Sequence, residues 1–407
     1  MQSKIIKYVK IVFICITLLY SIIAAYYFLN KPSGGGDEGL FIADLELINN
    51  EGWMEAIKQN ISIPFMLLAY PLSLFLKSFI ALRIVNCIIL ILLLFYFYKI
   101  NKKRDLLFYS YILFYISTIG FFYTGINDVL FIVALVVFLN GVYRLANNKP
   151  TSIHWMLTAL VLAFFTRQLF MVFLPVILFS LYVIYRSKIK FNKKILIPSF
   201  VFIFFLLVNL PSIMENGTLS YDKKSPPETM NVTWAQHQYL AQIMVNNGEL
   251  KNGQHPSWEQ TQQYIKLHGE ESLPNGILKG ITQDYQLTIK EFFKDFVYSI
   301  FYGTRQLGLM LLIIILFLLN QVYKTRRIEL KYFVPIATLA MLMIFSFIII
   351  SYVELRWLTP VFIMTIVFYD DLEKEKRIAI KLVSLNYLTL ISFSIYGIIK
   401  LLNKIYL

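Results

Sequence analysis

Long apolar runs alternate with short basic clusters along the chain, and the apolar runs have the length of helices that cross a membrane. The first run, Ile5 to Leu29, follows Lys4, Lys7 and Lys10 and has no small-residue cleavage site after it. It predicts a retained anchor with its N-terminus inside. Later basic clusters are Lys99/Lys102/Lys103/Arg104, Arg144/Lys149, Arg186/Lys188/Lys190/Lys193/Lys194, Lys324/Arg326/Arg327/Lys331 and Lys374/Lys376/Arg377/Lys381. Placing all of them on the cytoplasmic side predicts spans near 81–98, 105–123, 126–145, 152–166, 168–185, 195–213, 300–323, 331–351, 355–370 and 380–402. The run Ile61 to Ile80 does not fit that alternation, because as a span it would turn the Lys99 to Arg104 cluster outward. With Pro64, Pro71 and Lys77 it reads as re-entrant or interfacial. The expected architecture is an all-α polytopic membrane protein of about 11 transmembrane helices.

Two segments fall on the external side. In the first, residues 30–80, Phe41, Ile42, Leu45 and Ile48 recur at helical spacing opposite Asp44, Glu46 and Glu51, which predicts an amphipathic helix lying on the membrane. The second, residues 214–295, is polar and carries Pro226-Pro227, Trp234, Trp258, His237, His255 and His268. It is too long for a structureless connection and predicts a small helical cap. The domain reading is an N-terminal membrane module over 1–213, the cap over 214–295 and C-terminal membrane helices over 296–407.

Composition sharpens this picture. With 58% hydrophobic residues and a mean hydropathy of +0.63, the 407-residue chain lies far outside the range of soluble domains. Its net charge of +14 does not point to nucleic acid, since the basic residues sit in short clusters between apolar runs. Cys15 and Cys87 fall inside apolar runs and read as packing residues. The Ile, Lys and Asn bias suits an AT-rich bacterial genome, hence a bacterial cytoplasmic membrane rather than the endoplasmic reticulum.

The candidate chemistry gathers at the outer ends of the spans. Asp37 and Glu38 follow the first span in the turn Gly34-Gly35-Gly36-Asp37-Glu38-Gly39; carboxylates beside a bilayer are costly and mark a partner, a cation or a reaction. Asn127-Asp128, Thr166-Arg167-Gln168, Arg305 and the Glu354/Arg356 turn share that depth, which is also the depth of a lipid-linked phosphate. The arrangement suits sugar transfer from a polyprenyl phosphate to an acceptor hydroxyl, with a carboxylate taking the proton and arginines holding the departing phosphate. Simpler roles stand beside these: Asp37 and Asp128 as helix caps, Arg167 and Arg356 snorkelling to headgroups, Glu354 paired only with Arg356. The three histidines of the cap lack tight metal spacing.

These residues also carry a resemblance. Gly36-Asp37-Glu38-Gly39-Leu40, the apolar segment with Pro64 and Pro71, and Arg83-Ile84-Val85-Asn86 together resemble the GT-C superfamily of polytopic glycosyltransferases. Ala163-Phe164-Phe165-Thr166-Arg167-Gln168 and Glu354-Leu355-Arg356-Trp357-Leu358-Thr359-Pro360 are similar to its later motifs. Tyr123-Thr124-Gly125-Ile126-Asn127-Asp128, the Arg167-Gln168 pair and residues 216–224 resemble the terminal alpha-1,2-glucosyltransferases of the N-glycan precursor pathway. The resemblance implies a polyprenyl-phosphate sugar donor, a glycan, lipid or protein acceptor, Asp37 as base with Glu38 beside it, and Asp128, Arg167, Gln168, Arg305, Glu354 and Arg356 as substrate contacts. A divalent cation between Asp37 and Asp44 or Asp128 is an option, with arginines supplying the charge where none is bound. The rival classes are a transporter or lipid flippase, which would place its charges near the midplane on repeated broken helices, and a polysaccharide polymerase, in which external arginines would dominate.

Overall fold

The computed structural model describes residues 2–100, 104–188, 193–221 and 230–406. Lys102, Lys103, Lys190, Asp222-Lys223-Lys224 and Pro226-Pro227 lie outside the described residues. The chain folds as α1 (Gln2–Leu29), α2 (Glu38–Lys58), α3 (Ile63–Ser73), α4 (Ser78–Ile100), α5 (Leu106–Ile119), α6 (Asp128–Ala146), α7 (Ile153–Thr166), α8 (Leu174–Arg186) and α9 (Leu196–Val208). It continues as α10 (Leu210–Asn216), α11 (Trp234–Asn246), α12 (Trp258–His268), α13 (Ile277–Gln283), α14 (Tyr285–Leu307), α15 (Met310–Thr325), α16 (Phe333–Phe347), α17 (Thr359–Lys374) and α18 (Ile380–Tyr406). No strand occurs among the described residues.

Among the described residues, five helices are long and apolar enough to cross a bilayer: α1 from Ile6, α4, α6, α16 with the turn before it, and α18. Counting the broken pairs α9–α10 and α14–α15 as one span each raises the number to seven. The chain is therefore a multi-pass integral membrane protein. Helix α3, with 11 residues, is about 16 Å long and too short to cross alone. Proline stands at its start and Pro71 lies inside it.

Contacts divide the chain into two compact units, 1–222 with 303–338 and 359–407, and 223–302 with 339–358. At the centre of the first unit stands α6, with 78% of its apolar window buried, against 28% for α1 and 33% for α18. Helices α7, α17, α4 and α8 pack on α6, while α1 lies against α5 and α18. Gly120 ends α5 in the left-handed conformation (φ 72°) and leaves the space that the Phe28 ring occupies, so any side chain there would displace α1.

Helix α2 corrects one expectation. Phe41, Leu45 and Ile48 do share a face, but that face is buried in protein, with Phe41 edge-on to Phe65 of α3 at 5.5 Å. Helix α2 meets α3, α4 and α10. Cys15 likewise departs from a packing role: it is exposed on α1.

One end of the first unit is closed by charge. Arg104 pairs with Asp370, both side chains being under 5% exposed, and reaches Asp371 at 3.0 Å. Asp371 also accepts from the Tyr143 hydroxyl at 2.9 Å and lies 3.4 Å from Lys149. Glu373 takes Lys10 at 2.7 Å and the hydroxyls of Tyr111 and Tyr387. The last turn of α17 thus ties α1, α5, α6 and α18 together. Lys10, Arg104, Lys149 and Lys374, drawn from four of the basic clusters, meet at this end.

In the second unit, the sequences Thr233-Trp-Ala-Gln236 and Ser257-Trp-Glu-Gln260 form two capping boxes that start α11 and α12. Its core gathers Tyr239, Leu240, Leu273 and Ile349.

Candidate functional site

The opposite end of the first unit holds the sequence-predicted acids. Helix α1 stops at Leu29, and the glycine turn, with Gly34 and Gly36 in the left-handed region, brings the chain back to start α2 at Glu38. Glu38 is 3% exposed and is gripped by Arg83 of α4 through two parallel bonds, Nε to Oε1 at 2.8 Å and Nη2 to Oε2 at 2.7 Å. The amides of Gly125 (2.8 Å) and Gly34 (3.2 Å) complete its donors. Arg83 in turn donates to the carbonyl of Leu29, an orphan acceptor at the end of α1, and to those of Lys31 and Pro32 in the turn that follows. Burial pushes the Glu38 pKa up most strongly, but the bonds from Arg83 and the two glycine amides outweigh it and hold the carboxyl below its ordinary value. Glu38 is therefore held as an anchor, with both of its oxygens bonded.

Asp37, its neighbour, is half-buried at the N-cap position of α2. Its backbone is helical (φ −67°, ψ −20°) and its carboxylate makes no capping bond. The simple reading of Asp37 as a helix cap does not hold.

The loop before α6 is pinned from several sides. Asn86, one turn beyond Arg83 on α4, donates to the carbonyls of Thr124 and Ile126, while Gly125 between them donates to Glu38. A side chain at Gly125 would run into Leu82. Asp128 opens α6 as an acid in its first turn, and Asn127 before it caps nothing. Helix α7 ends at Thr166, whose carbonyl accepts from Ser62 at 3.0 Å and Asn127 at 3.4 Å. The backbone then turns extended at Arg167 (φ −154°, ψ 136°), and the Arg167 guanidinium pairs with Asp128. The Asp128 side chain is 2% exposed and that of Arg167 19%.

Two predicted residues from separate turns, Asp128 and Arg167, thus come into contact. Gly125 and Asp128 lie three residues apart, at most about 11 Å of chain, so the Glu38 anchor and the Asp128–Arg167 pair belong to one end of the unit. Tyr221 adds a hydroxyl on the Phe164 carbonyl at 2.9 Å, and Ser220 bonds the carbonyl of Ile61 at 2.8 Å.

Gln168 is exposed at the start of a 3-10 turn. Arg305 lies over the ring of Tyr396 on α18 at 5.2 Å. Glu354 and Arg356 belong to the second unit and pair with each other. Arg83, Asn86, Asn127 and Thr166 join the site through hydrogen bonds that the sequence does not announce. A lone arginine inside a strongly apolar helix, with an asparagine one turn on, is the signal that marks the first two.

Among the described residues no group of three or more His, Cys, Asp or Glu side chains is placed to hold a metal ion. Of the acids considered for a cation, Asp128 is paired with the Arg167 guanidinium. Comparison with family models, curated proteins and solved structures returns no match.

Proposed function

We propose that the chain is a GT-C type membrane hexosyltransferase, moving a sugar from a polyprenyl-phosphate donor to an acceptor hydroxyl of a glycan, lipid or protein. Its site faces the external side of a bacterial cytoplasmic membrane, with basic clusters inside. The full membrane path then has about eleven spans, the shorter helices α5, α7, α8 and α17 adding to the long and broken ones. The observation that carries this reading is the rigid end of the first unit: Glu38 and Arg83 fix the glycine turn, and the same loop delivers Asp128 to Arg167.

Within that frame the roles divide. Asp37 takes the acceptor hydroxyl proton as the new bond forms to the anomeric carbon. The bond from that carbon to the phosphate oxygen breaks, and the lipid phosphate leaves with its charge beside Arg167, whose planar fork suits phosphate. Glu38 and Asp128 are positioning residues, one holding the turn that carries Asp37 and the other orienting the guanidinium. Of the two acids in the opening turn, only Asp37 is a base in this scheme.

The test is Asp37→Asn in purified protein reconstituted with a polyprenyl-phosphate hexose and a hydroxyl acceptor. Transfer should fall about 100- to 10,000-fold with insertion and unfolding temperature unchanged. Full activity in that variant overturns the assignment.

A further inference from the structure

The second unit brings His237 and His255 together, although their spacing in sequence is not that of a metal motif. The two capping boxes decide where the rings fall. Each opens its helix with a tryptophan, Trp234 on α11 and Trp258 on α12, and His237 and Thr261 then occupy equivalent positions in the two helices. His255 comes just before the second box and is exposed.

His237 is buried, and its hydrogen bonding fixes which nitrogen carries the proton. Its Nδ1 lies 2.9 Å from the Thr261 hydroxyl, whose single hydrogen is donated to the Ser257 carbonyl at 3.1 Å. Nδ1 is therefore the donor, and the lone pair of the neutral ring stands on Nε2. An imidazole that gives one N–H to a fixed acceptor and keeps its other nitrogen bare has the form of a metal ligand. Burial, and next the neighbouring His255, push the His237 pKa down to about 4, so the ring is neutral near pH 7.

Trp258 stacks on the His237 ring at 4.1 Å and Trp234 lies at 5.3 Å, which holds the ring in place while leaving its edge uncovered by stacking. The His255 ring centre is 5.7 Å from that of His237. An ion about 2.0–2.1 Å from one nitrogen of each ring places the two ring centres about 5–6.5 Å apart. The observed separation falls in that window. Exposed His255 opens the pair to solvent and is free to turn its nitrogen toward an ion.

From this geometry we infer that His237 and His255 bind a divalent transition-metal ion of the zinc and copper class, with water at the remaining positions. Imidazole suits these ions, whereas magnesium and calcium take oxygen, and among the described residues no carboxylate or thiol joins the pair in a group of three. Thr261 is a positioning residue that acts through His237. The site stands on unit-two geometry alone and goes beyond the transfer reaction proposed above.

Calorimetric titration of the full chain, purified in detergent without a polyhistidine tag, tests this with zinc chloride, and magnesium chloride is the competing probe. Zinc uptake should be saturable and magnesium uptake absent, and copper chloride should quench tryptophan emission because Trp234 and Trp258 border the site. His255→Gln, at an exposed position, should abolish both the zinc uptake and the saturable quenching. Thr261→Val should raise the zinc Kd about tenfold, and Thr261→Ser, which keeps the hydroxyl, should restore it. Should Thr261→Val not fold, His255→Gln decides. No saturable zinc uptake, equal uptake of magnesium, or an unchanged Kd in folded His255→Gln overturns the site. Since no lipid-linked donor takes part, Asp37→Asn retains this binding, and failure here leaves the transfer proposal untouched.

Discussion

The two charged ends of the first unit are built from the same residue types and reach different states. At the Asp370 end each carboxylate meets at least one cation, and tyrosine hydroxyls fill in around them, with Arg104 and Asp370 almost wholly buried. At the Glu38 end the first layer is closed in the same way by Arg83. Outside that layer, however, Asp37 stays half-buried on a glycine turn, and Arg167 keeps 19% of its side chain exposed. Between Asp128 and Tyr143, helix α6 separates the ends by about 22 Å. Matched and buried charge locks helix ends together. Charge that is held in place yet reachable is what a ligand requires; at the Glu38 end it falls on Asp37 and Arg167, whereas at the Asp370 end the exposed partners are the lysines Lys10, Lys149 and Lys374.

The largest effect should come from breaking the lock. Arg104→Ala strands Asp370 in a buried position with only Lys374 near it, so unfolding in detergent should become easier by about 3–5 kcal/mol. Transfer per folded molecule should not change. A fall in rate with stability intact would mean that this end, too, is a site.

Glu38→Gln should act on both quantities. The Arg83 guanidinium keeps its carbonyl acceptors at Leu29, Lys31 and Pro32, which limits the loss to about 1.5–3 kcal/mol, the value of bonds to a charged group. Transfer should drop as the turn loosens. The pH dependence follows from the depressed pKa: Glu38 stabilises the folded state fully above the ordinary carboxyl value of 4.5, and that contribution is lost as pH falls through its lower folded value. Thermal unfolding followed below pH 4.5 should therefore be flatter in Glu38→Gln than in the wild type.

How far the sequence reveals these ends depends on what each contact needs. Apolar runs mark α1, α4, α6 and α18 because burying or spanning takes a continuous stretch. They overstate the stretch 61–80, where Pro64 and Pro71 leave an 11-residue helix. The outer acids and arginines stand out as polar breaks between runs, yet the pairing of Asp128 with Arg167 depends on how α6 and α7 pack, which periodicity does not encode. Asp370, Asp371 and Glu373 are hidden in sequence by Lys374, Lys376 and Arg377, so the whole segment reads as one solvated basic cluster. Folding turns it into the lock. The tie between 223–302 and 339–358 is equally silent, since no shared motif announces it.

Arg167→Lys gives the smallest effect and the finest discrimination between the two ends. Lysine keeps the positive charge beside Asp128, so the acid is not stranded, and stability should move by less than about 1 kcal/mol. What lysine loses is the planar fork that meets two phosphate oxygens at once. The apparent KM for a polyprenyl-phosphate sugar should then rise about tenfold, with kcat nearly constant, because the contact is made to the donor before and during transfer alike. If the Asp128–Arg167 pair were a second lock, the same substitution would appear in the unfolding temperature and leave KM where it was.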